Sequence, residues 1–396
     1  MKPFPIASLP FGTAESSAAD EVSSKLALVR ARMGELDAPA VVLTTSGAVA
    51  WLTAGLENRI EAGSTASAMW VVVTADEAVA LTTNVERPRL AAEHGLAERG
   101  LRLGEIEWYA GHEGFVAAAC DCAGAPASAL ASDGDAAFGI DAEDDLAELR
   151  LALQPAERER LADLGRTAAG ALEGALHAWQ PGERDLDLQA RVAEHLEREG
   201  AFGACLIVGG DDRVERFRHP LAIGAPVRRL AMAVVVAERG GLHAAATRMA
   251  CCDGLSESVR SAWEAAVAVE SRMLAATRVG ATYGDVLVAC DAAYAEAGHP
   301  GAWREHYQGG PIAYRQREFE IVPTQRDSRW YGQRIEAGHA VCWNPSVAGG
   351  GKTEDTFLID EKGARCVTDT GEWPQAAVAG GPERTAILDI TTGAAA

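Results

Sequence analysis

The sequence predicts a two-domain α/β protein, in which a small N-terminal α/β domain precedes a larger α+β domain. Its 396 residues exceed the length of a typical single domain, so two hydrophobic cores are expected. Helical and strand patterns alternate in the first part of the chain. A charged hinge and a long amphipathic helix then lead into a strand-rich second part. We place the first domain at residues 17–151 and the second at residues 152–385.

The elements of the first domain follow from residue patterns. Residues 1–16 are expected to form a loose tail, and residues 17–34 carry apolar positions at helical spacing. A β-branched run at residues 40–44 predicts a strand, and SGAVAWLTAG is expected to continue as strand into helix. The runs AMWVVVT and AVALTT, residues 68–74 and 78–83, predict a hairpin. ERPRLAAEHG predicts a helix, and FGID predicts the last strand.

The second domain is predicted to begin with a helix and to end in strands. Its expected elements are the hinge and long helix over 144–179, a helix over 186–199, the strand ACLIVGG, a strand pair over 230–249 turning at Gly240-Gly241, helices over 258–278 and 282–297, and strands around 306–320, 341–355, TFLID and RCVT. Glycine before His299-Pro300 is typical of a helix end.

Composition excludes several classes of function. The formal net charge of -21 disfavours nucleic-acid and anionic-membrane binding, because both require basic surfaces. Prolines interrupt the N-terminus where a signal peptide needs an apolar core, and no run approaches a membrane span, so a cytoplasmic protein is expected. The eight cysteines are scattered through apolar segments without paired CxxC spacing, which favours buried free thiols over disulfides or a zinc ribbon.

Four polar clusters lie at predicted strand ends or loops of the second part, where functional sites are commonly built. They are RVERFRHPL at 213–221, Thr247-Arg248, REHYQGGPIAYRQREFE at 304–320, and VCWNPSVAGGGKTED at 341–355. Taken singly, these clusters are better explained by a solvated strand face, a turn or an isolated histidine than by a functional site. Their order along the chain is the informative feature.

That order resembles the pita-bread domain shared by creatinase, prolidase, aminopeptidase P and methionine aminopeptidase. The shared succession is His-Pro, a strand pair ending in Thr-Arg, a glycine-rich loop, a strand ending before proline, and Glu-Asp. The first part resembles the small N-terminal domain of the creatinase and aminopeptidase P branch. The resemblance covers roughly residues 20–370. It implies a homodimer.

The resemblance also implies where metal ligands would lie. Metallopeptidases of this superfamily hold two metal ions with two Asp, one His and two Glu. The matching positions here are Val234, Ala245, Gly310, Asn344 and Glu354, so only the last keeps its ligand. Valine, alanine and glycine side chains offer no lone pair to a cation, so no metal and no other cofactor is expected.

Creatinase suggests a different chemistry, since it resembles this fold and hydrolyses a C–N bond without metal through histidine. The matching histidine is His219, and imidazole can take and return a proton near neutral pH. His306 lies where relatives often keep a second histidine. The His-Glu pair of the family becomes Arg317-Glu318, and the arginine suggests a bound substrate carboxylate or another oxyanion.

The expected site therefore has His219, His306 and Glu354 as catalytic groups. The expected substrate-binding residues are Asn344, Arg317, Glu318, Tyr314, Trp343 and Arg59, the last reaching a neighbouring subunit's site in creatinase-like dimers. In this hypothesis Glu354 hydrogen-bonds a cationic or N–H-bearing part of the substrate, and Asn344 orients it or stabilises an oxyanion. For Arg59 a surface salt bridge, and for the two aromatic residues a place in the core, are the alternatives.

We therefore expect a metal-independent hydrolase that cleaves a C–N bond in a small carboxylate-bearing amino-acid-like, amidine or cyclic-amide substrate. A lyase using the same proton-transfer groups, a non-catalytic pita-bread binding protein and a metal-dependent Xaa-Pro aminopeptidase are the alternatives. The expected partner is a small molecule, with no nucleic acid and no membrane.

Overall fold

The computed structural model describes residues 17–61, 63–378 and 381–390. The tail expected at residues 1–16 lies outside these ranges, as do residues 379–380 of the predicted second domain. The two-domain α/β architecture predicted from the sequence is confirmed. No helix in the described portions of the chain combines the length and apolar character needed to cross a membrane.

The first part of the chain forms one six-stranded mixed sheet flanked by helices. Its elements are α1 Ala18–Glu35, β1 Ala40–Thr45, α2 Ser46–Leu52, β2 Ala66–Thr74, β3 Ala78–Thr83, α3 Arg87–Glu93, β4 Arg102–Ile106, α4 Gly111–Ala123, β5 Ala131–Ser132 and β6 Ile140–Asp141. The strand order is β4-β3-β2-β1-β5-β6, and β2 and β3 form the predicted antiparallel hairpin. SGAVAWLTAG was expected to pass from strand into helix; the helix, α2, already begins at Ser46, because the Thr45 side chain accepts a capping hydrogen bond from Ala48 N.

Helices then lead into a long antiparallel strand pair. The elements are α5 Glu143–Leu151, α6 Pro155–His177, α7 Asp185–Arg198, β7 Phe202–Gly210, α8 Asp212–Arg216, β8 Leu230–Arg239, β9 Leu242–Cys251, α9 Glu257–Ala276 and α10 Tyr283–Glu296. α6 starts at Pro155, which suits a first helical position and separates α6 from α5. The predicted domain boundary falls in this short connection.

The last part is strand-rich, as predicted. Its elements are β10 Gly309–Pro311, β11 Ala340–Trp343, β12 Ser346–Val347, β13 Gly351–Lys352, β14 Asp355–Asp360, β15 Gly363–Cys366, β16 Gln375–Ala376, β17 Arg384–Thr385 and β18 Leu388–Asp389. One sheet has the order β18-β9-β8-β7 and another the order β10-β11-β14-β15. Residues 306–320, expected to be largely strand, form only β10 and are otherwise loop.

The two sheets of the second part meet where β9 and β14 approach each other. The backbone N–H of Thr247 donates to the carbonyl oxygen of Glu354 at 2.9 Å, and Ala245 N donates to Thr356 Oγ1 at 2.9 Å. All residues of β9 are buried. This contact fixes the start of β14 against the long strand pair and determines where the polar residues of both elements lie.

Candidate functional site

A buried carboxylate, Glu354, lies at the junction between the two sheets. It is 2% exposed, and its Oε2 accepts from Thr247 Oγ1 at 3.0 Å. Its Oε1 accepts from Arg317 Nη2 at 3.1 Å and from Cys342 Sγ at 3.5 Å. Burial raises the pKa of Glu354, but Lys352, Arg317 and the Thr247 hydroxyl together hold that pKa below its ordinary value. Glu354 is therefore an ionised carboxylate in a buried setting.

A lysine that sequence reasoning missed lies beside this carboxylate. Lys352 is 5% exposed, and its Nζ donates to Asn344 Oδ1 and lies 3.5 Å from Glu354 Oε2. A signal for it was present in the sequence, because residues two apart in an extended segment point to the same side. Placing Glu354 in the site therefore also predicts that Lys352 points toward the site. It is also one of only four lysines among the 36 Lys and Arg residues.

Two histidines contact each other next to this group. His219 Nε2 and His306 Nε2 are 3.2 Å apart, and their rings are tilted by 52°. His306 Nδ1 lies 2.7 Å from the carbonyl oxygen of Tyr307 and 3.2 Å from that of Asn344. Because carbonyl oxygens only accept, His306 Nδ1 must carry the proton. His306 Nε2 then accepts from His219 Nε2–H, and the lone pair of neutral His219 lies on Nδ1.

Both histidines are biased toward the neutral form. Burial, the Lys352 ammonium and His219 lower the pKa of His306 to about 3. Burial and Lys352 also lower the pKa of His219, and Glu354 opposes the shift in both rings. His306 also contacts the carbonyl oxygen of Asn344, whose side chain accepts from Lys352, so the histidines and the buried ion pair are joined by direct contacts.

The loop that carries His219 is held by a buried carboxylate at the start of α7. Asp185 is fully buried and accepts from Gly224 N at 2.7 Å and from Arg213 Nη1 at 2.9 Å. Arg213 Nη2 also donates to the carbonyl oxygen of Leu221 at 2.5 Å. These bonds fix the loop on both sides of Pro220, so that the exposed ring of His219 has a defined position.

Five of the predicted site residues are thus joined, with Lys352, in one series of contacts. We call it the polar chain; its members are His219, His306, Asn344, Lys352, Glu354 and Arg317. Alternation along β11 explains why Asn344 belongs to it. Cys342 and Asn344 point to one side of the strand, whereas Trp343 points to the other.

Two other predicted site residues form part of the protein core. Trp343 Nε1 donates to Thr277 Oγ1 at 2.9 Å, and the ring packs in the core around α9 and α10. Tyr314 is 1% exposed and its hydroxyl donates to Glu157 Oε1 at 2.7 Å, within a buried group that also holds Lys25. The structure gives both aromatic residues packing contacts, which corrects the expectation that they line the site.

Glu318 and Arg59 likewise pair with residues outside the polar chain. Glu318 Oε2 accepts from Arg150 Nη2 at 2.9 Å, which ties α5 to the loop after β10. Arg59 Nη2 lies 2.6 Å from Glu238 Oε1, and its guanidinium stacks on Phe202 at 4.5 Å. Within the described residues, neither side chain contributes a contact to the polar chain.

A small cavity adjoins the polar chain at Lys352. Its volume is about 190 Å³, and its walls include Val214, Phe217, Met232, Val347, Arg218 and Lys352. Arg218 is paired with Glu305 at 2.8 Å. The cavity is smaller than typical drug-sized ligand sites, which have volumes of roughly 300–1,000 Å³. It suits a small molecule with both apolar and charged parts.

The side chains at the predicted metal positions do not fit a divalent metal. Val234, Ala245 and Gly310 lack donor atoms, and a Cβ at Gly310 would meet the carbonyl oxygen of Phe319 at 2.8 Å, so the loop has no room for histidine. Over residues 17–61, 63–378 and 381–390, no three His, Cys, Asp or Glu side chains are placed to hold a metal ion. Instead, a Lys352 ammonium contacts Asn344 and Glu354 where two metal ligands would lie.

Comparisons with known structures agree with this fold. Dipeptidase PepE from Mycobacterium ulcerans is 18% identical, with a TM-score of 0.75 over 94% of this chain and 99% of that one. The prolidase from Pyrococcus horikoshii is 15% identical, with a TM-score of 0.70 over 88% and 98%. The N-terminal domain of the FACT complex subunit SPT16 from chickpea is 10% identical, with a TM-score of 0.67 over 89% and 97%.

Among curated protein sequences, none matches this chain at a significant level. The family model described as metallopeptidase family M24 matches residues 159–361, which contain the whole polar chain. These residues make up just over half of the sequence and include the strands β9 and β14, which meet at Glu354. The chain therefore belongs to metallopeptidase family M24.

Proposed function

We propose that this M24 member is a metal-independent hydrolase that cleaves a C–N bond in a small carboxylate-bearing substrate, with His219 as general base and acid. The observation that supports this most directly is the polar chain, in which an ammonium group contacts Asn344 and Glu354 at the predicted metal positions. The fold is consistent with a hydrolase. The side chains of the polar chain favour proton transfer by imidazole over metal chemistry.

The histidine pair supports a defined proton path. His306 fixes the tautomer of His219, so the Nδ1 lone pair of His219 takes a proton from water. The water oxygen bonds to the carbon of the scissile C–N bond, and that bond breaks. His219 then returns the proton to the leaving nitrogen and becomes neutral again. His306 acts as a positioning residue that spreads the transient charge of the imidazolium.

Asn344 is suited to stabilise the negative charge that develops on a substrate oxygen. Because its Oδ1 accepts from Lys352, its Nδ2–H groups are the part of the amide that can donate to that oxygen. Both oxygens of Glu354 already accept hydrogen bonds from the protein. We therefore assign Glu354 to positioning Lys352 and Arg317, and not to direct contact with substrate.

A second candidate function is a pita-bread domain that binds a partner without catalysis; the N-terminal domain of a FACT complex subunit has a similar fold. The buried, hydrogen-bonded polar chain beside a small cavity favours the enzyme. A lyase would use the same proton path, with His219 abstracting a carbon-bound proton. The products separate these possibilities, because hydrolysis incorporates solvent oxygen and elimination does not.

A substrate screen tests the proposal. A pool of small amides, amidines and cyclic amides bearing a carboxylate is incubated with the wild-type protein, His219→Ala and His112→Ala. His112 is an exposed histidine of α4 that pairs with Asp135, far from the polar chain in sequence, so its variant is the matched control. We expect one compound to be consumed by wild type and control and to gain ¹⁸O from labelled water. Equal consumption by His219→Ala would refute the role of His219.

A further inference from the structure

The buried part of the polar chain carries an excess of one positive charge. Lys352 and Arg317 are cations, and among the residues that the structure describes Glu354 is the one carboxylate in contact with both. Asn344 is neutral, and the histidines are biased toward the neutral form. Glu320 also acts on Arg317 electrostatically, but it is exposed to solvent. A buried excess charge is costly unless it is paired, so this site favours an anion.

Lys352 has hydrogen-bonding capacity left for that anion. An ammonium group has three N–H donors, of which one is used by Asn344 Oδ1 and one is oriented toward Glu354 Oε2 at 3.5 Å. Lys352 also forms part of the cavity wall. Arg317, in contrast, is not among the cavity residues and is held by Glu354. Lys352 is therefore the better-placed cation for a ligand in the cavity.

The other cavity walls indicate the rest of the ligand. Val214, Met232 and Val347 are each at most 3% exposed, and Phe217 lies at the surface end with 46% exposure. Of the other charged residues, Arg218 pairs with Glu305 and Arg216 with Asp212, and all four side chains are more exposed than Lys352. The carboxylate of Glu215 also forms part of the wall. A short apolar chain would replace water against the apolar side chains, which is favourable.

We propose that this cavity is a subsite for a monocarboxylate with a short apolar chain, anchored through its carboxylate by the Lys352 ammonium. The inference rests on the proposed function, since it names the class of substrate that the hydrolase accepts. It also differs from the expectation drawn from the sequence, in which Arg317 was the anchor. The anchoring interaction is a charge-assisted hydrogen bond from a buried ammonium group.

A binding experiment with unreactive probes tests this subsite separately from catalysis. The probes are 4-methylpentanoate and its neutral amide, 4-methylpentanamide, and affinity is measured by calorimetry or ligand-observed NMR. Lys352→Met is compared with Lys362→Met, an exposed lysine in the turn after β14. We expect wild type and Lys362→Met to bind the carboxylate, and Lys352→Met to bind it about ten- to hundred-fold more weakly. The amide is expected to bind weakly to all three.

The comparison between probes keeps the test decisive if Lys352→Met does not fold. Equal affinity of the folded wild-type protein for carboxylate and amide, or no binding of either, would overturn the inference. His219→Ala separates the two proposals. It is expected to bind 4-methylpentanoate like wild type, because His219 does not contact the anchor. A subsite that binds the probe in a protein without hydrolase activity would uphold the inference and refute the proposed function.

Discussion

Replacing Glu354 by glutamine tests whether the polar chain depends on this carboxylate for charge balance. Glutamine keeps the size of the side chain and can still accept from Thr247 Oγ1, which lies 3.0 Å from Oε2. It removes the negative charge that faces Arg317 at 3.1 Å and Lys352 at 3.5 Å. Two cations, with side chains 17% and 5% exposed, would then lack their shared counter-ion.

Loss of one partner from a buried ion pair costs about 3–5 kcal/mol, because the remaining charge stays desolvated. We therefore expect Glu354→Gln to lower the free energy of unfolding by about 3–5 kcal/mol. The double variant Glu354→Gln/Lys352→Met should regain part of this loss, since it removes one of the unpaired cations. The coupling between the two changes is expected to be about 0.5–3 kcal/mol.

The assay is denaturant unfolding followed by fluorescence and circular dichroism, and agreement of the two signals checks that one transition is measured. Glu361→Gln is the matched control, because Glu361 is an exposed glutamate in the turn after β14. Its effect should stay within about 0.5 kcal/mol. A cost for Glu354→Gln as small as that of the control, or an additive double variant, would refute the charge-balance reasoning.

Two further predictions concern residues outside the polar chain. Burial lowers the pKa of His339 from its ordinary value of 6.5 to about 4. Between these two pH values the unfolded chain binds a proton at His339 that the folded protein does not bind. His339 therefore contributes about 3 kcal/mol to the free energy of unfolding above pH 6.5, and this contribution is lost as the pH falls toward 4. His339→Gln should flatten the pH dependence of the unfolding midpoint. Glu318→Gln should lower the free energy of unfolding by about 3–5 kcal/mol, because it leaves the buried Arg150 without its partner. The folded protein should keep its KM. A raised KM with unchanged stability would instead place Glu318 at the substrate.

Much of the fold could be predicted because its strongest signals are local. The apolar run of β8, the turn at Gly240-Gly241 and the run of β9 lie next to each other in the sequence, so their pairing follows from pattern alone. The short strand β5 was not predicted, because it has only two residues and pairs with β1, which is distant in sequence, whereas the predicted strand FGID contains β6. The strand prediction for residues 306–320 was largely wrong, because Ile312, Tyr314 and Phe319 are buried in loop segments that follow β10.

The candidate site was predictable only in part, for a similar reason. The family order of motifs identified His219, Asn344 and Glu354, which the structure joins through His306 and Lys352. The side to which each remaining residue points depends on tertiary contacts that no motif contains. Tyr314 lies in the loop after β10, within the cluster at residues 304–320. Its hydroxyl nevertheless donates to Glu157, a residue 157 positions earlier in the chain.

Metal content and metal titration test the central claim most directly. The wild-type protein is purified, analysed for manganese, cobalt and zinc, and then titrated with each ion by calorimetry. Val234, Ala245 and Gly310 provide no ligands, and Lys352 contacts the two remaining polar positions, so we predict no stoichiometric metal and no binding heat at the site. Stoichiometric binding of any of these ions, lost in Glu354→Gln, would contradict the account.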